Sequence, residues 1–332
     1  MVTISDIAKK ANVNKSTVSK ALNNSGDINF ETAVKIRAVA KELGYEKRIR
    51  KTSSQKTIGI ITAEIDDAYY SGLVENVISI AQSQGYTCCV LTGNYDPVNE
   101  ERAVRFMIDK NVSGVFFGLS ISRQVNRLYE KLKECGIPVV GVAEESVDTE
   151  TDKIWINDKD GVDQAIEHLY SLGHERIAYI GDKYGMERLE SFKSAMQKRN
   201  LPVLENLISL APERKFECGY KGVKSLLDKK ERFTAIFAQY DDVAIGAIRA
   251  LTESGISVPN DVSIIGADDT KYCSFITPTL TSINCNSDAL CQVAFKILQN
   301  KINKKDKSVQ SVLIKPKLVV RESTAKAKSF ET

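Results

Sequence analysis

Five hydrophilic side chains in one short predicted helix could do chemistry on a nucleic acid. They are Lys15, Ser16, Thr17, Ser19 and Lys20. Lysine ammonium groups can donate hydrogen bonds to guanine O6 and N7, and hydroxyl groups can contact base edges or phosphate oxygens. The opposite face of this segment is apolar, with Val18, Ala21 and Leu22 at helical spacing. The pattern predicts a recognition helix whose polar face enters the major groove of DNA.

Two further predicted helices position this segment as the second helix of a helix-turn-helix. The first helix has a capping-box pair, Thr3 and Asp6, and it ends at Asn12, where the turn needs a positive φ that asparagine tolerates. The third helix begins near Glu31 after the N-cap Asn29 and ends at Gly44. The alternative is a three-helix packing module that does not bind DNA.

The charge distribution separates the start of the chain from the rest. Residues 1–56 contain twelve Lys or Arg against five Asp or Glu, a balance of +7, whereas the 332-residue chain has a net charge of only +3. A basic segment attached to an acidic body indicates a polyanionic partner for that segment alone. The alternative is that these lysines and arginines form a solvent-exposed helical face with no polyanionic partner.

The remainder of the chain has the texture of an α/β protein. Short apolar strands alternate with amphipathic helices from residue 58 onward, and repeated βαβ units imply parallel sheets with helices on both faces. The predicted strands are 58–62, 87–91, 112–118, 138–142, 176–180, 235–237 and 262–266. We therefore predict a small all-α helix-turn-helix domain (residues 1–46), a basic linker (residues 47–57) and an α/β core (residues 58–332).

Several protein classes are disfavoured by what the sequence lacks. Its seven cysteines form no C-x-x-C pair and its two histidines lie far from them, so neither a metal site nor a disulfide framework is expected. Glycine-rich nucleotide motifs and a nucleophile elbow are also missing, so we expect neither a cofactor nor an enzyme. A secreted solute-binding protein would carry a signal sequence and would have no DNA-binding helices, so both features of this sequence disfavour that class. We expect a cytoplasmic protein with no membrane partner.

A series of segments, in order along the whole chain, resembles the lactose-repressor (LacI/GalR) family of transcriptional regulators. The segments are 3–8, 17–23, 41–45, 136–140, 167–169, 172–174, 176–178, 188–189, 244–247, 258–263, 277–283 and 318–324. The resemblance implies a repressor that acts as a homodimer on a near-palindromic double-stranded operator. It also implies a two-lobed, periplasmic-binding-protein-like core with a small-molecule effector, most often a sugar, between the lobes. By similarity, lobe 1 comprises about 58–157 and 286–314, and lobe 2 about 158–285 and 315–328.

The same resemblance supplies candidate effector-binding residues. They are Tyr69, Tyr70, Arg188, Tyr240 and Asp268. Guanidinium and carboxylate groups can make paired hydrogen bonds to adjacent hydroxyls, and flat rings can cover the C–H faces of a sugar. Stacking is not specific to sugars, so nucleobases and nucleosides remain alternatives.

The linker departs from the family pattern. Relatives carry a proline and a leucine wedge in a hinge helix that enters the minor groove. This linker is shorter and has no proline, and Ser54 stands where an ungapped count places the leucine. Ile49 is its candidate wedge. The residues that the resemblance adds to the predicted DNA contacts are Thr3, Asn23, Lys47, Arg48, Ile49 and Arg50.

Overall fold

The computed structural model describes residues 2–22, 28–45, 56–118, 125–142, 150–306 and 308–328. It divides into two compact units. The first unit comprises Met1–Trp155 and Asp288–Val312, and the second comprises Ile156–Ser287 and Leu313–Thr332. The domain and lobe boundaries derived from the sequence stay predictions. Within the described residues, every helix is too short or too polar to cross a bilayer.

Three helices form the head domain, which is the name we use for residues 1–46. They are α1 (Ile4–Ala11), α2 (Lys15–Leu22) and α3 (Phe30–Glu42). Their shared apolar core consists of Ile7, Ala8, Ala11, Val18, Ala21, Ala33, Ile36 and Ala40. The small alanines let the three short helices approach closely while still burying apolar surface.

The first unit contains a six-stranded sheet in the order β11-β5-β4-β3-β1-β2. Its strands are β1 (Lys56–Thr62), β2 (Tyr86–Thr92), β3 (Gly114–Gly118), β4 (Val139–Val142), β5 (Asp152–Ile156) and β11 (Ser311–Ile314). Besides the helices of the head domain, this unit contains α4 (Ala68–Ser83), α5 (Pro97–Asp109), α6 (Val125–Glu134) and α11 (Ser287–Ile302). β1 pairs in parallel with β2 and β3, and β4 pairs in parallel with β3 and β5. Their carboxyl ends therefore share one edge of the sheet.

Helix α11 comes from late in the chain but packs on this early sheet. Phe295 lies in edge-to-face contact with Tyr86 and stacks on Phe116, with ring centroids 5.9 and 6.1 Å apart. The thiol of Cys291 donates to the carbonyl of Leu73 at 3.7 Å. Residues more than 200 positions apart in the sequence thus complete one hydrophobic core.

The second unit contains a six-stranded sheet in the order β12-β10-β9-β8-β6-β7. Its strands are β6 (Ile177–Asp182), β7 (Ile208–Ala211), β8 (Ala235–Ala238), β9 (Ser263–Asp268), β10 (Thr281–Asn284) and β12 (Lys317–Val319). Its α-helices are α7 (Asp158–Ser171), α8 (Met186–Lys198), α9 (Lys215–Asp228) and α10 (Asp241–Glu253). β12 pairs antiparallel with β10, whereas the other pairs are parallel.

Helices α9 and α10 cross at two glycines. A Cβ on Gly219 would overlap the carbonyl of Val243, and a Cβ on Gly246 would overlap the carbonyl of Phe216. The two helix backbones can therefore touch only because both positions lack side chains.

Candidate functional site

Arg188 is the centre of a buried polar cluster in the second unit. It lies in the first turn of α8, and its side chain is only 10% exposed. One terminal nitrogen donates to the carbonyl of Gln239 at 2.6 Å, and the other donates to Asp158 at 2.7 Å. The Asp268 carboxylate lies 3.6 Å from the guanidinium. Burial disfavours the charged form, but Asp158 and Asp268 outweigh it and hold the pKa of Arg188 well above its usual value.

The topology of the sheet explains why these residues meet. β6, β8 and β9 are parallel neighbours, and Gln239 and Asp268 lie where β8 and β9 end. Asp158 occupies the first turn of α7, where the positive end of the helix dipole favours a carboxylate. The cluster therefore lies at the carboxyl edge of a parallel sheet, where ligands of such sheets bind.

Asp268 has a strained backbone. Its φ is 108°, and that of the following Asp269 is 51°, both in a region that side-chain-bearing residues seldom adopt. Asp269 accepts a hydrogen bond from Asn284 at 2.7 Å and pairs with Arg321 at 2.7 Å. These interactions hold the turn that directs Asp268 toward Arg188, and such strain is concentrated at binding sites.

A second set of side chains packs around Gln239, the residue whose carbonyl accepts from Arg188. Gln239 is fully buried, its amide nitrogen donates to Asp182 at 3.1 Å, and its oxygen accepts from the Tyr179 hydroxyl at 3.1 Å. Arg214 lies 3.7 Å from Asp182. Because each of these groups has a hydrogen-bond or ionic partner, the edge on which Arg188 sits is held rigidly.

Tyr240 supplies a flat surface beside the guanidinium. The centre of its ring lies 5.3 Å from the Arg188 guanidinium carbon. Burial raises the pKa of Tyr240, so its phenol stays protonated and can donate. The cluster thus combines two carboxylates, a guanidinium and an aromatic face, which can hold a polyhydroxylated ring.

In the first unit, Tyr69 and Tyr70 lie at the start of α4. Asp67 caps this helix by accepting from the backbone amides of Tyr69 and Tyr70 at 2.8 and 3.1 Å. The two rings meet edge to face with centroids 5.6 Å apart. The Tyr95 hydroxyl donates to Glu64 at 3.0 Å and lies 3.5 Å from the Tyr70 hydroxyl. These groups lie at the carboxyl edge of the first sheet, after β1 and β2.

In the head domain, the predicted recognition residues share one helix. Lys15, Ser16 and Lys20 are exposed on α2, and Thr17 and Ser19 are half-buried. Asn12 adopts the predicted left-handed conformation, with a φ of 56°. Thr3 and Asp6 form the predicted capping box. The predicted DNA contacts Asn23, Lys47, Arg48, Ile49 and Arg50 lie outside the described residues.

Several residues of these two groups were not predicted from the sequence. They are Asp158, Asp182, Gln239, Glu64 and Tyr95. Gln239 and Glu64 are polar residues just after apolar strands, a signal that could have identified them. Asp158 gives no such signal, because only the fold brings the start of α7 to Arg188.

Two family models match the chain. The model described as "Bacterial regulatory proteins, lacI family" matches residues 3–47, and the model described as a "Periplasmic binding protein-like domain" matches residues 166–324. The first covers all three helices of the head domain, and the second covers most of the unit that holds Arg188.

Similar proteins extend this likeness over the whole chain. The "HTH-type transcriptional repressor PurR" of Klebsiella pneumoniae (strain 342) is 32% identical over 334 residues, which is 98% of this chain and 97% of that protein. A structure of the transcriptional regulator CelR in complex with cellobiose is 27% identical with a TM-score of 0.72, covering 97% of this chain and 100% of that one. The structure of the lac repressor dimer bound to operator and the anti-inducer ONPF is 25% identical with a TM-score of 0.72, and the match covers 98% of this chain and 99% of that one.

Proposed function

The chain belongs to the LacI family of DNA-binding transcription regulators, and from that premise we propose that it is a repressor whose operator affinity is set by an uncharged, polyhydroxylated effector, most simply a sugar. The observation that supports this best is the cluster of Arg188, Asp158, Asp268 and Tyr240 at the carboxyl edge of the second sheet. We place the protein in the cytoplasm, with its DNA.

The charges of the cluster favour a neutral ligand. Two carboxylates, Asp158 and Asp268, face one guanidinium, and the shorter of the two pairs measures 2.7 Å. A phosphate or carboxylate ligand would have to compete with both for Arg188 and would be repelled by them. Hydroxyl groups can instead donate to the carboxylates without breaking the pairs. The cellobiose bound by the similar regulator CelR agrees with this class of ligand.

The effector class is tested by thermal shift of the full chain with neutral sugars, nucleosides and sugar phosphates. Bound ligand raises apparent stability by mass action, so a neutral sugar is expected to raise the melting temperature in a concentration-dependent way. Stabilisation by nucleosides or sugar phosphates alone would overturn the proposed class. That Tyr69 and Tyr70 contact the effector stays a prediction, tested by repeating the titration with Tyr70→Ala.

DNA binding by α2 is tested by selection from a random duplex library. We expect the lysines and arginines among residues 47–56 to contact phosphates, in addition to the base contacts proposed for the exposed Lys15 and Lys20. Affinity for the selected site is expected to fall by orders of magnitude between about 50 and 200 mM salt. Failure to enrich any sequence would overturn the proposed function.

A homodimer is the proposed working form, because one head domain offers few base contacts and near-palindromic sites need a two-fold partner. The second unit exposes large apolar side chains suited to such a contact, with Phe275 86% exposed and Phe216 and Tyr272 47% and 41% exposed. The lac repressor structure is itself a dimer. Sedimentation of the full chain is expected to report a dimer at micromolar concentration, and Phe275→Asp to weaken it. A wild-type monomer would contradict this assignment.

A further inference from the structure

Helix α3 of the head domain contacts other helices on two faces. Ala33, Ile36 and Ala40 point into the core of the head domain. A second stripe follows at intervals of three or four residues and consists of Glu31, Val34, Arg37 and Lys41. All four members of this stripe contact α5, α6 or the turn after α6 of the first unit, so the stripe has a partner.

Val34 is the apolar member of the stripe. Its side chain is 6% exposed, and it belongs to a hydrophobic cluster formed with α5, α6 and the first sheet, not to the core of the head domain. Other members of that cluster are Val104, Met107 and Ile108 of α5 and Leu128 and Leu132 of α6. Because Val34 is buried against residues outside the head domain, water is excluded from both the α3 surface and the surface of α5 and α6. The two surfaces therefore pack closely against each other.

Lys131 of α6 is the charged centre of the same contact. It is 6% exposed and lies 3.0 Å from Glu31 of the head domain and 2.9 Å from Glu101 of α5. Hydrogen bonding by Lys131 holds the pKa of Glu101 below its usual value. Arg127 lies 3.8 Å from Glu31 on the same side. A nearly buried ammonium group requires such carboxylate partners, and one of them is supplied by the head domain.

Two cationic residues of α3 extend the contact. Arg37 donates to the carbonyl of Ala21 at the end of α2, at 3.2 Å, and lies 3.7 Å from Asp109 of α5. Lys41 donates to the carbonyl of Lys133 at 2.8 Å. Arg37 therefore joins the recognition helix directly to the first unit.

The recognition face stays accessible while the head domain is docked. Lys15, Ser16 and Lys20 on α2 are exposed, whereas the contacts with α5 and α6 given above are made by α3. The docked arrangement is thus compatible with DNA binding and fixes the direction in which α2 faces.

We propose that the surface formed by α5 and α6 is the docking site of the chain's own head domain, and that this contact orients α2 for DNA and transmits the effector response from the core. The inference rests on the proposed function for its DNA readout. The contact also offers a way to carry the effector response that does not need a hinge helix. Residues 47–57 contain neither the proline nor the leucine of the family's hinge helix.

The test uses full-length Val34→Asp and Glu31→Lys variants. Glu42→Lys is the matched control, because Glu42 lies on the same helix but pairs with Lys10 inside the head domain at 2.6 Å. Docking is measured by the rate of trypsin cleavage after the basic residues of the linker, and orientation by operator affinity with and without the effector.

Both contact variants are expected to be cleaved faster, to bind the operator roughly 5- to 150-fold more weakly and to lose most of the effector response. Glu31→Lys adds positive charge, which by itself would strengthen DNA binding. Weaker operator binding by this variant could therefore not be explained by the added charge.

Unchanged cleavage in both contact variants would overturn the docking surface, and faster cleavage with unchanged operator affinity would overturn its role in DNA binding. If Glu42→Lys weakened operator binding as much as the contact variants do, the weakening would come from damage to the head domain itself, and this result would also overturn the inference. If the wild type binds no DNA, the proposed function fails, while the cleavage rates still decide whether the head domain docks.

Discussion

Replacement of Arg188 by alanine is expected to destabilise the second unit as well as remove the effector response. The Arg188 side chain is 10% exposed and that of Asp268 is 9% exposed, so Arg188→Ala leaves a buried carboxylate without its guanidinium. Removing one partner of a buried pair costs about 3–5 kcal/mol. The Asp158 side chain is 39% exposed and can be solvated instead, so we expect the lower end, about 3 kcal/mol.

The assay is urea unfolding of the full chain, with Arg249→Ala as the matched control. Arg249 pairs with Glu253 at 3.0 Å, but these side chains are 76% and 41% exposed, so that variant is expected to lose almost none of the free energy of unfolding. Thermal shift with the effector then compares ligand binding in the two variants at a temperature where both are folded. Equal free energies of unfolding for the two variants would refute the argument from burial. An undiminished ligand shift in Arg188→Ala would refute the assignment of Arg188 to the effector.

Three further predictions concern other parts of the chain. Asn12→Ala is expected to cost the head domain about 1 kcal/mol and Asn12→Gly almost nothing, because the φ of 56° suits glycine; amide hydrogen exchange in α1 and α2 measures both, and equal protection in the two variants would contradict the turn assignment. Burial lowers the pKa of His174 below its usual 6.5, so its neutral form contributes stability that is present above pH 6.5 and is lost as the pH falls through the lowered value. His174→Gln should therefore make the free energy of unfolding depend less on pH below 6.5. An unchanged slope of that free energy against pH would exclude His174 as the cause. Lys15→Ala or Lys20→Ala should each weaken operator binding by about 1–3 kcal/mol and relax preference at one position of each half-site, whereas a uniform loss over all sequences would make that lysine a phosphate contact.

Local signals allowed the head domain to be predicted closely. Thr3, Asp6 and Asn12 act on backbone groups within four residues, so their roles are visible in the sequence itself. The alternation of strands and helices likewise predicted parallel sheets, and the structure confirms them. The strands that were missed, β5, β7, β10, β11 and β12, have three to five residues each. Such short segments show too few residues for a period to be recognised, unless they are uninterrupted buried apolar runs, as β4 and β8 are.

The candidate effector cluster was predictable only in part. The resemblance pointed to Arg188 and Asp268, but the ion pair with Asp158 depends on a contact across 30 positions. That Arg188 also stabilises the fold follows from its burial, which no local pattern reveals. The docking stripe of α3 was missed for a related reason: its partners lie on α5 and α6, far from α3 in the sequence, so no local pattern gives Val34 a role.

The late position of α11 has a consequence for synthesis of the chain. The first unit needs Phe295 and Cys291 to cover a sheet whose first five strands end at Ile156. At a translation rate of about 5–20 residues per second, that sheet waits on the order of ten seconds at the ribosome before α11 emerges. Throughout this interval Tyr86 and Phe116 lack the contact with Phe295, so we expect the nascent first unit to be prone to aggregation and to bind chaperones. A nonsense mutation before residue 287 would release a chain with that apolar face permanently uncovered, and degradation is its expected fate.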